Sequence, residues 1–452
     1  MVLGGRDLAA AEVQEKAMAA GYAVASGGRD LVAADVPNGG DQLTPIPANS
    51  DAASQPGASP FREEAPAGPV ASADVGKCAE FCGLQVCSPP GRFWLRADYL
   101  MWWTSGTRLP PLVTTSPQDG VLPGATILYG NSTIGTDGRS GFRTTVGMWL
   151  DACHVWDLEF DYLSLGERAN GFSQTSTGDP LLARPFFNVQ TNRLARQLVA
   201  SSGIVEGTVS VDAKDYFQSA GVSLSYNLCS CNSCGAPCNP CDDSCAGACS
   251  PPLLNCCRTD LLVGFRYYNL SDRLGIHESL RQITPDSTFE IQDNFSARND
   301  FYGSEIGLRT QMYRGRWSLE VLTKVALGNN RETITIDGQT ITTVPGQQPV
   351  PYNSGILAGP TNSGNYQRDV FTMIPQLGLE LGYQVNCHWR AYVGYNVLYW
   401  GSVLQAADQV DLNVDPRNWP PAIAGALPFP AFPGRTTSFW AHGVNVGTEF
   451  RF

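Results

Sequence analysis

The chain has 452 residues, enough for two or three ordinary soluble domains, yet only 16% of them are Asp, Glu, Lys or Arg, where soluble proteins carry about 25%. With 43% apolar and 10% aromatic residues it is not a disordered chain. No apolar run approaches the ~18 residues of a transmembrane helix, and a net charge of −12 argues against nucleic acid as a partner. Two classes remain: a large all-β soluble protein, or a transmembrane β-barrel.

Residues 1–77 read as an unassigned tail or linker. Asp7 to Ala20 is Ala-rich and suits one short helix, while Val36 to Pro69 is dense in Pro, Ala, Gly, Asp and Ser. Arg6, Asp7, Glu12, Glu15 and Lys16 break every window that could serve as the apolar core of a secretory signal. Either the start site is mis-assigned or the protein is not exported. Residues 78–92 form a Cys-containing segment ahead of the strands.

From Phe93 the pattern turns to strict alternation, the mark of strands with two unlike faces. Ten such runs follow: Phe93 to Thr104, Phe142 to Leu150, Trp156 to Tyr162, Tyr216 to Leu228, Asp260 to Tyr268, Tyr302 to Met312, Trp317 to Leu327, Phe371 to Val385, Trp389 to Tyr399 and Trp440 to Phe452. One face of each is apolar and tends to end in Trp, Tyr or Phe. The other is mostly Gly, Ser, Thr, Asn and Gln with one or two charges, too few for a soluble surface. Aromatics at the ends of an apolar outer face are what a lipid-exposed barrel needs, and closure spares it an unpaired edge.

Connection lengths alternate as well. They are short at Ala152 to Val155, Tyr313 to Arg316 and Asn386 to His388. They are long at Ser105 to Gly141, Gly166 to Asp215, Ser271 to Phe301, Gly328 to Val370 and Gly401 to Phe439. Short turns on one side and long loops on the other is the outer-membrane arrangement. The predicted fold is a closed antiparallel transmembrane barrel of about ten strands over 93–452. Both termini lie on the short-turn side, which is the periplasm in this reading, and the location is the bacterial outer membrane. Phe450 and Phe452 close the last strand on its lipid face, as a signal for barrel-insertion machinery.

The opening strand Phe93-Trp94-Leu95-Arg96-Ala97-Asp98-Tyr99-Leu100-Met101-Trp102-Trp103, the segments Gly203 to Val205, Val209 to Asp212 and Phe217 to Gly221, and Leu262-Val263-Gly264-Phe265-Arg266-Tyr267 resemble the outer-membrane β-barrels abundant in planctomycetes, the BBP-type barrels. The resemblance covers roughly Phe93 to Phe452. It implies location and architecture, and it implies Cys pairs between the fourth and fifth strands. It also implies a signal peptide, from which this N-terminus departs.

Nine of the 14 Cys lie in a turn at 229–257: Cys229, Cys231, Cys234, Cys238, Cys241, Cys245, Cys249, Cys256 and Cys257. Cys231/Cys234 and Cys238/Cys241 have zinc-site spacing, but in an oxidising compartment such density reads as disulfides stapling a loop without a core. The odd count leaves at least one thiol for Cys78, Cys82, Cys87, Cys153 or Cys387, with Cys153 in the neighbouring turn the first candidate, or for another envelope protein.

The second face points fourteen charges into one lumen: Arg96, Asp98, Arg143, Glu159, Asp161, Arg266, Glu305, Arg309, Glu320, Lys324, Glu380, Arg390, Glu449 and Arg451, together with Asp151. Such groups pair across a narrow barrel and fill it, since ten strands fall between filled and open barrels. The expected role is structural. A narrow channel that the acidic surplus would bias to cations, or a small-solute porin, is the alternative, and a soluble barrel with an internal ligand is the third. Of the four His, His154 and His388 lie on the short-turn side, His442 near the outer interface, and His277 in a long loop beside Asp272 and Glu278. No hydrolase, zinc-protease or P-loop motif is present. No enzyme, cofactor or metal is therefore expected, and the expected partners are outer-membrane lipid, the insertion machinery and other envelope proteins. Surface recognition is assigned to loops such as Asp337 to Gln367 and Pro416 to Pro433.

Overall fold

A computed structural model describes residues 91–151, 154–232, 256–386 and 388–452, with backbone alone for 229–232 and 256. Ten long strands dominate it: β1 (Phe93–Thr104), β2 (Arg139–Trp149), β3 (Trp156–Ser176), β4 (Val205–Asn232), β5 (Cys256–Gln282), β6 (Ser287–Arg314), β7 (Trp317–Thr343), β8 (Gly364–Asn386), β9 (Trp389–Leu404) and β10 (Thr436–Arg451). Each pairs antiparallel with its chain neighbours, and β10 returns to β1 through Trp94 opposite Arg451 and Thr104 opposite Ala441. The sheet is closed, with no edge left through the barrel wall.

Alternation sets the two faces. On β1, Trp94, Arg96, Asp98, Leu100 and Trp102 are buried, while Leu95, Tyr99 and Met101 face out. Exposed Val222, Leu224, Phe265, Ile306, Leu308, Leu379, Val393 and Val446 continue the outer belt around the barrel. That apolar exterior removes the soluble alternative. Glycines on the inner face make room for large neighbours. A Cβ on Gly147 would stand 2.2 Å from the Trp94 ring, and one on Gly221 would stand 2.4 Å from the Arg266 guanidinium. The β6–β7 turn uses Gly315 at φ +57°, the left-handed conformation that glycine reaches at least cost.

Three of the expected long loops are largely strand. β5 and β6 run on to a turn of residues 283–286, β3 and β4 extend to Ser176 and from Val205, and β7 continues to Thr343. The reason lies in a change of phase. On β5 the outer face reads Leu261, Val263, Phe265, Tyr267 and then Arg273, His277 and Arg281, while the inner face passes from Arg266 to Leu274, Ile276 and Leu280. The period of two persists while the apolar side moves from outside to inside. A search for outward apolar residues therefore stops at Tyr267.

The extended wall encloses a second sheet. Val113–Ser116, Thr126–Tyr129, Leu181–Asn188 and Arg193–Ala200 pair antiparallel, with Asn413–Val414 parallel to Leu181–Asn188. Leu182, Phe186, Leu198, Val199 and Trp419 pack with Val211, Ile276, Phe289, Phe295 and Ile334 of the wall in one cluster. The segments assigned to surface recognition are thus partly interior: Ile356, Leu357, Ala358 and Trp419 are buried. An apolar inner wall needs apolar cover, and these segments supply it.

Candidate functional site: the barrel interior

The interior divides into three layers along the strands. At the short-turn end is a lattice of ion pairs. Arg96 reaches from β1 to Glu320 on β7 and Glu449 on β10, each at 2.9 Å. Arg143 bridges Asp98 at 3.0 Å and Glu380 at 3.1 Å. Arg266 lies between Asp161 and Glu305, and Lys324 also meets Glu305, at 3.0 Å. Arg309 pairs with Glu159, while Arg390 meets Glu449 at 3.2 Å and Arg451 takes its other oxygen. All fourteen named residues face inward, and they comprise seven cations and seven carboxylates. Arg258, Asp157 and Asp260 are buried at the same end, with Arg258 on Asp260 at 2.8 Å and its guanidinium 4.6 Å from the Trp149 ring centroid. Low-dielectric surroundings strengthen each pair and make each unpaired member costly.

Asp151 is the exception among the expected inward charges. It accepts the N–H groups of Val155 and Trp156 and holds the β2–β3 turn. Its place in the alternation was misleading because the strand has already ended at Trp149.

Above the lattice lies a ring layer. Phe217, Tyr268, Phe301, Trp400 and Phe439 contact one another with centroids 5.2 to 6.2 Å apart. Trp102, Leu100, Leu165 and Leu398 belong to the same cluster. Between lattice and rings is a void of about 50 Å³, and at the turn end, around Trp94 and Arg258, one of about 20 Å³.

The third layer is the apolar core beneath the second sheet, which holds charges that strand-face reasoning missed. Arg184 stands 2.8 Å from Asp293 and also binds Glu278. Asp293 Oδ1 accepts the N–H groups of Ile356, Leu357 and Ala358 at 2.9, 2.9 and 2.7 Å. Burial opposes the charge on Arg184, but Asp293 and Glu278 more than offset it and raise its pKa. Burial raises the Glu278 carboxyl despite Arg184. Asp272 accepts the Ala406 N–H at 2.8 Å, and burial pushes its carboxyl up to about 8. Extending the period of two past Tyr267 would have found Asp272 and Glu278 at inward positions.

His277 is on β5, not in a loop. It faces out, 3.2 Å from Glu290 of β6, while its sequence neighbours Asp272 and Glu278 point inward and bind elsewhere. His154 stacks on Trp149 in the β2–β3 turn, and His442 sits between Trp103, Trp440 and Tyr395 on the outer face. Among the described residues, no cluster has the composition of a metal site. Cys153, Cys234, Cys238, Cys241, Cys245 and Cys249 lie outside the described residues. The backbones of Cys229, Cys231 and Cys256 are strand, and Cys231 is directly opposite Cys257 in the β4–β5 ladder.

Outside, aromatic residues gather in two rows. Trp156, Tyr226, Trp317, Tyr383, Trp389, Phe450 and Phe452 stand near the short turns, and Tyr99, Phe142, Tyr267, Tyr302, Phe371, Tyr399 and Trp440 stand farther along. A closed ten-stranded barrel with an apolar belt between two aromatic girdles is an integral protein of the bacterial outer membrane. Residues 94–452 match the family described as "Putative beta barrel porin-7 (BBP7)", and the chain belongs to that family. No curated protein matches it. Among solved structures it is similar to the outer membrane protease OmpT from Escherichia coli, with 8% identity, coverage of 80% of this chain and 94% of that one, and a TM-score of 0.34. It is also similar to the Pseudomonas putida toluene transporter TodX (8% identity, 81% and 93% coverage, TM-score 0.19) and to a Pseudomonas aeruginosa FadL homologue (11%, 80% and 90%, 0.20).

Proposed function

We propose that the protein is a structural barrel of the outer membrane whose lumen is closed by its own side chains. The lattice joining Arg96, Glu320, Glu449 and Arg390 carries this reading, because it crosses the lumen from β1 to β7, β9 and β10. A permeant ion would have to break several buried pairs and then pass the ring layer. The named charges are seven cations against seven carboxylates, and Arg258, Asp157 and Asp260 at the same end add one net carboxylate.

In this reading the outer belt binds lipid, Phe450 and Phe452 present the chain to insertion machinery, and disulfides in the Cys-rich turn staple its periplasmic side. The thiol left over by the odd count pairs with Cys153 or with another envelope protein. We assign no catalytic role to any residue. The family's description as a porin supports a second reading, passage of small solutes. Single-channel recording of refolded protein in planar bilayers decides between them. The structural reading expects no unitary conductance, and steady openings in the native chain would replace it with the porin.

A further inference from the structure

At the far end of the extended wall a cavity of about 100 Å³ opens between the second sheet and the tips of β4 and β5. It has twice the volume of the void under the rings and differs from it in chemistry. Phe186, Leu280, Phe289, Ile291 and Trp419, all buried, form its walls, and the Phe186 and Trp419 rings meet edge to face at 5.2 Å. Arg196 and Arg184 offer it no charge. Arg196 stands opposite Pro185 in the ladder, on the sheet face turned away from Phe186 and Ala195, where a Cβ on Gly120 would meet its Cδ at 3.3 Å. Arg184 shares the Phe186 face but is engaged by Glu278 and Asp293. Most polar liners are committed as well: Thr340 Oγ1 donates to Ser354 O at 2.6 Å, and Trp419 Nε1 donates to Ile356 O at 3.2 Å. Gln282 gives Nε2 to Thr284 O at 3.1 Å, and its Oε1 is fully buried. Gln197 is different. It lies opposite Arg184 and two residues from Ala195, hence on the face that carries Phe186, and it lines the cavity half-buried. Among the described residues, its carboxamide has no hydrogen-bond partner.

Aromatic and aliphatic walls with one uncommitted neutral amide suit an apolar molecule that carries a single uncharged polar group. An ionised group would lose its hydration and find no counter-charge in these walls. A hydroxyl fits the amide, because a carboxamide both donates and accepts. Size limits the body. An engineered apolar cavity of about 150 Å³ holds benzene, so a site of about 100 Å³ that opens at one side takes no more than one small ring. We propose that the distal cavity binds a small neutral ring compound bearing one hydroxyl group, its ring among Phe186, Leu280, Phe289 and Trp419 and its hydroxyl on the Gln197 carboxamide. Nothing in this depends on whether the lumen conducts, because the cavity lies beyond the ring layer.

The test is calorimetric titration of the full-length protein in detergent with phenol, with toluene as the ring without its hydroxyl and benzoate as the ring with a charge. Titration of detergent alone supplies the blank for partitioning into micelles. Phenol and toluene should bind, and benzoate should not. Gln197→Leu should weaken phenol by about threefold to tenfold, the loss expected for one neutral hydrogen bond, and leave toluene as tight as before or tighter. Ala195→Phe, which fills the cavity from the second sheet, should abolish both, with migration on an unheated gel reporting that the variant is folded. Absence of phenol binding, benzoate binding as tightly as phenol, a phenol-to-toluene affinity ratio unaltered in Gln197→Leu, or phenol binding retained by folded Ala195→Phe would overturn the proposal. The ligand series and Gln197→Leu decide the matter without Ala195→Phe should that variant fail to fold.

Discussion

Arg184 and Asp293 meet at 2.8 Å, beside Glu278, in a core built mainly of Leu, Ile, Val, Ala and Phe. Arg184 belongs to the second sheet and Asp293 to the wall, and the other oxygen of Asp293 holds the 356–358 backbone. One carboxylate thus fastens two inner segments to the barrel. Removing it leaves the buried Arg184 guanidinium with Glu278 alone and three N–H groups without their acceptor, a loss of about 3 to 5 kcal/mol. Asp293→Ala should therefore release the cap while leaving the lattice intact. Limited proteolysis should cut the variant within 344–363 under conditions where the parent is resistant, with the barrel still migrating folded on an unheated gel. Parental resistance would show that the cap is held by its apolar contacts alone.

Arg266 occupies the comparable position in the lower lattice, where it is shared by Asp161 and Glu305. Arg266→Ala leaves two carboxylates facing Lys324 alone and should cost about 3 to 5 kcal/mol. Urea unfolding in detergent reads the change as a shifted midpoint. Replacing Asp161 by Asn in the same chain should recover part of the loss, because it removes one stranded charge.

Val393 lies on the outer face of β9 between Leu381 and Val446. In a lipid-facing position near the midplane Val393→Arg should cost about 2 to 4 kcal/mol. Folding into vesicles of defined composition measures it. A variant that inserts as well as the parent would place this face away from lipid.

Asp272 gives the cap a pH dependence. Its folded-state carboxyl titrates at about 8, against an ordinary value of 3.8. Between those values the folded chain holds a proton that the unfolded chain has lost. The stabilisation is complete below pH ~4 and disappears as pH rises through ~8. Protection of the Ala406 amide, corrected for intrinsic exchange, should fall across that window. Asp272→Asn should make the profile flat.

The ten strands were legible because lipid demands an apolar outer face and a small or charged inner one, a contrast that period two exposes in runs such as Phe93 to Thr104. The fourteen charges could be placed on the inner face for the same reason, since position along an alternating strand fixes direction. The second sheet was hidden. Beyond Tyr267 and Tyr302 the apolar residues change sides, so Leu274, Ile276, Phe289 and Ile291 look like scattered loop hydrophobes until their common face is known. Arg184 was hidden more deeply, because its short strand alternates against nothing nearby in sequence, and its partners Glu278 and Asp293 come from two other strands.

The change of sides also marks height. From Tyr267, the last outward aromatic on β5, the strand continues to Gln282 before it turns. At about 3.3 Å per residue and a tilt near 40° this lifts the β5–β6 tip roughly 35 to 40 Å above the upper aromatic girdle. The molecule is a tower that stands on the bilayer as much as in it. Ile204, Ile283 and the mouth of the distal cavity stand at that end, far from the apolar belt.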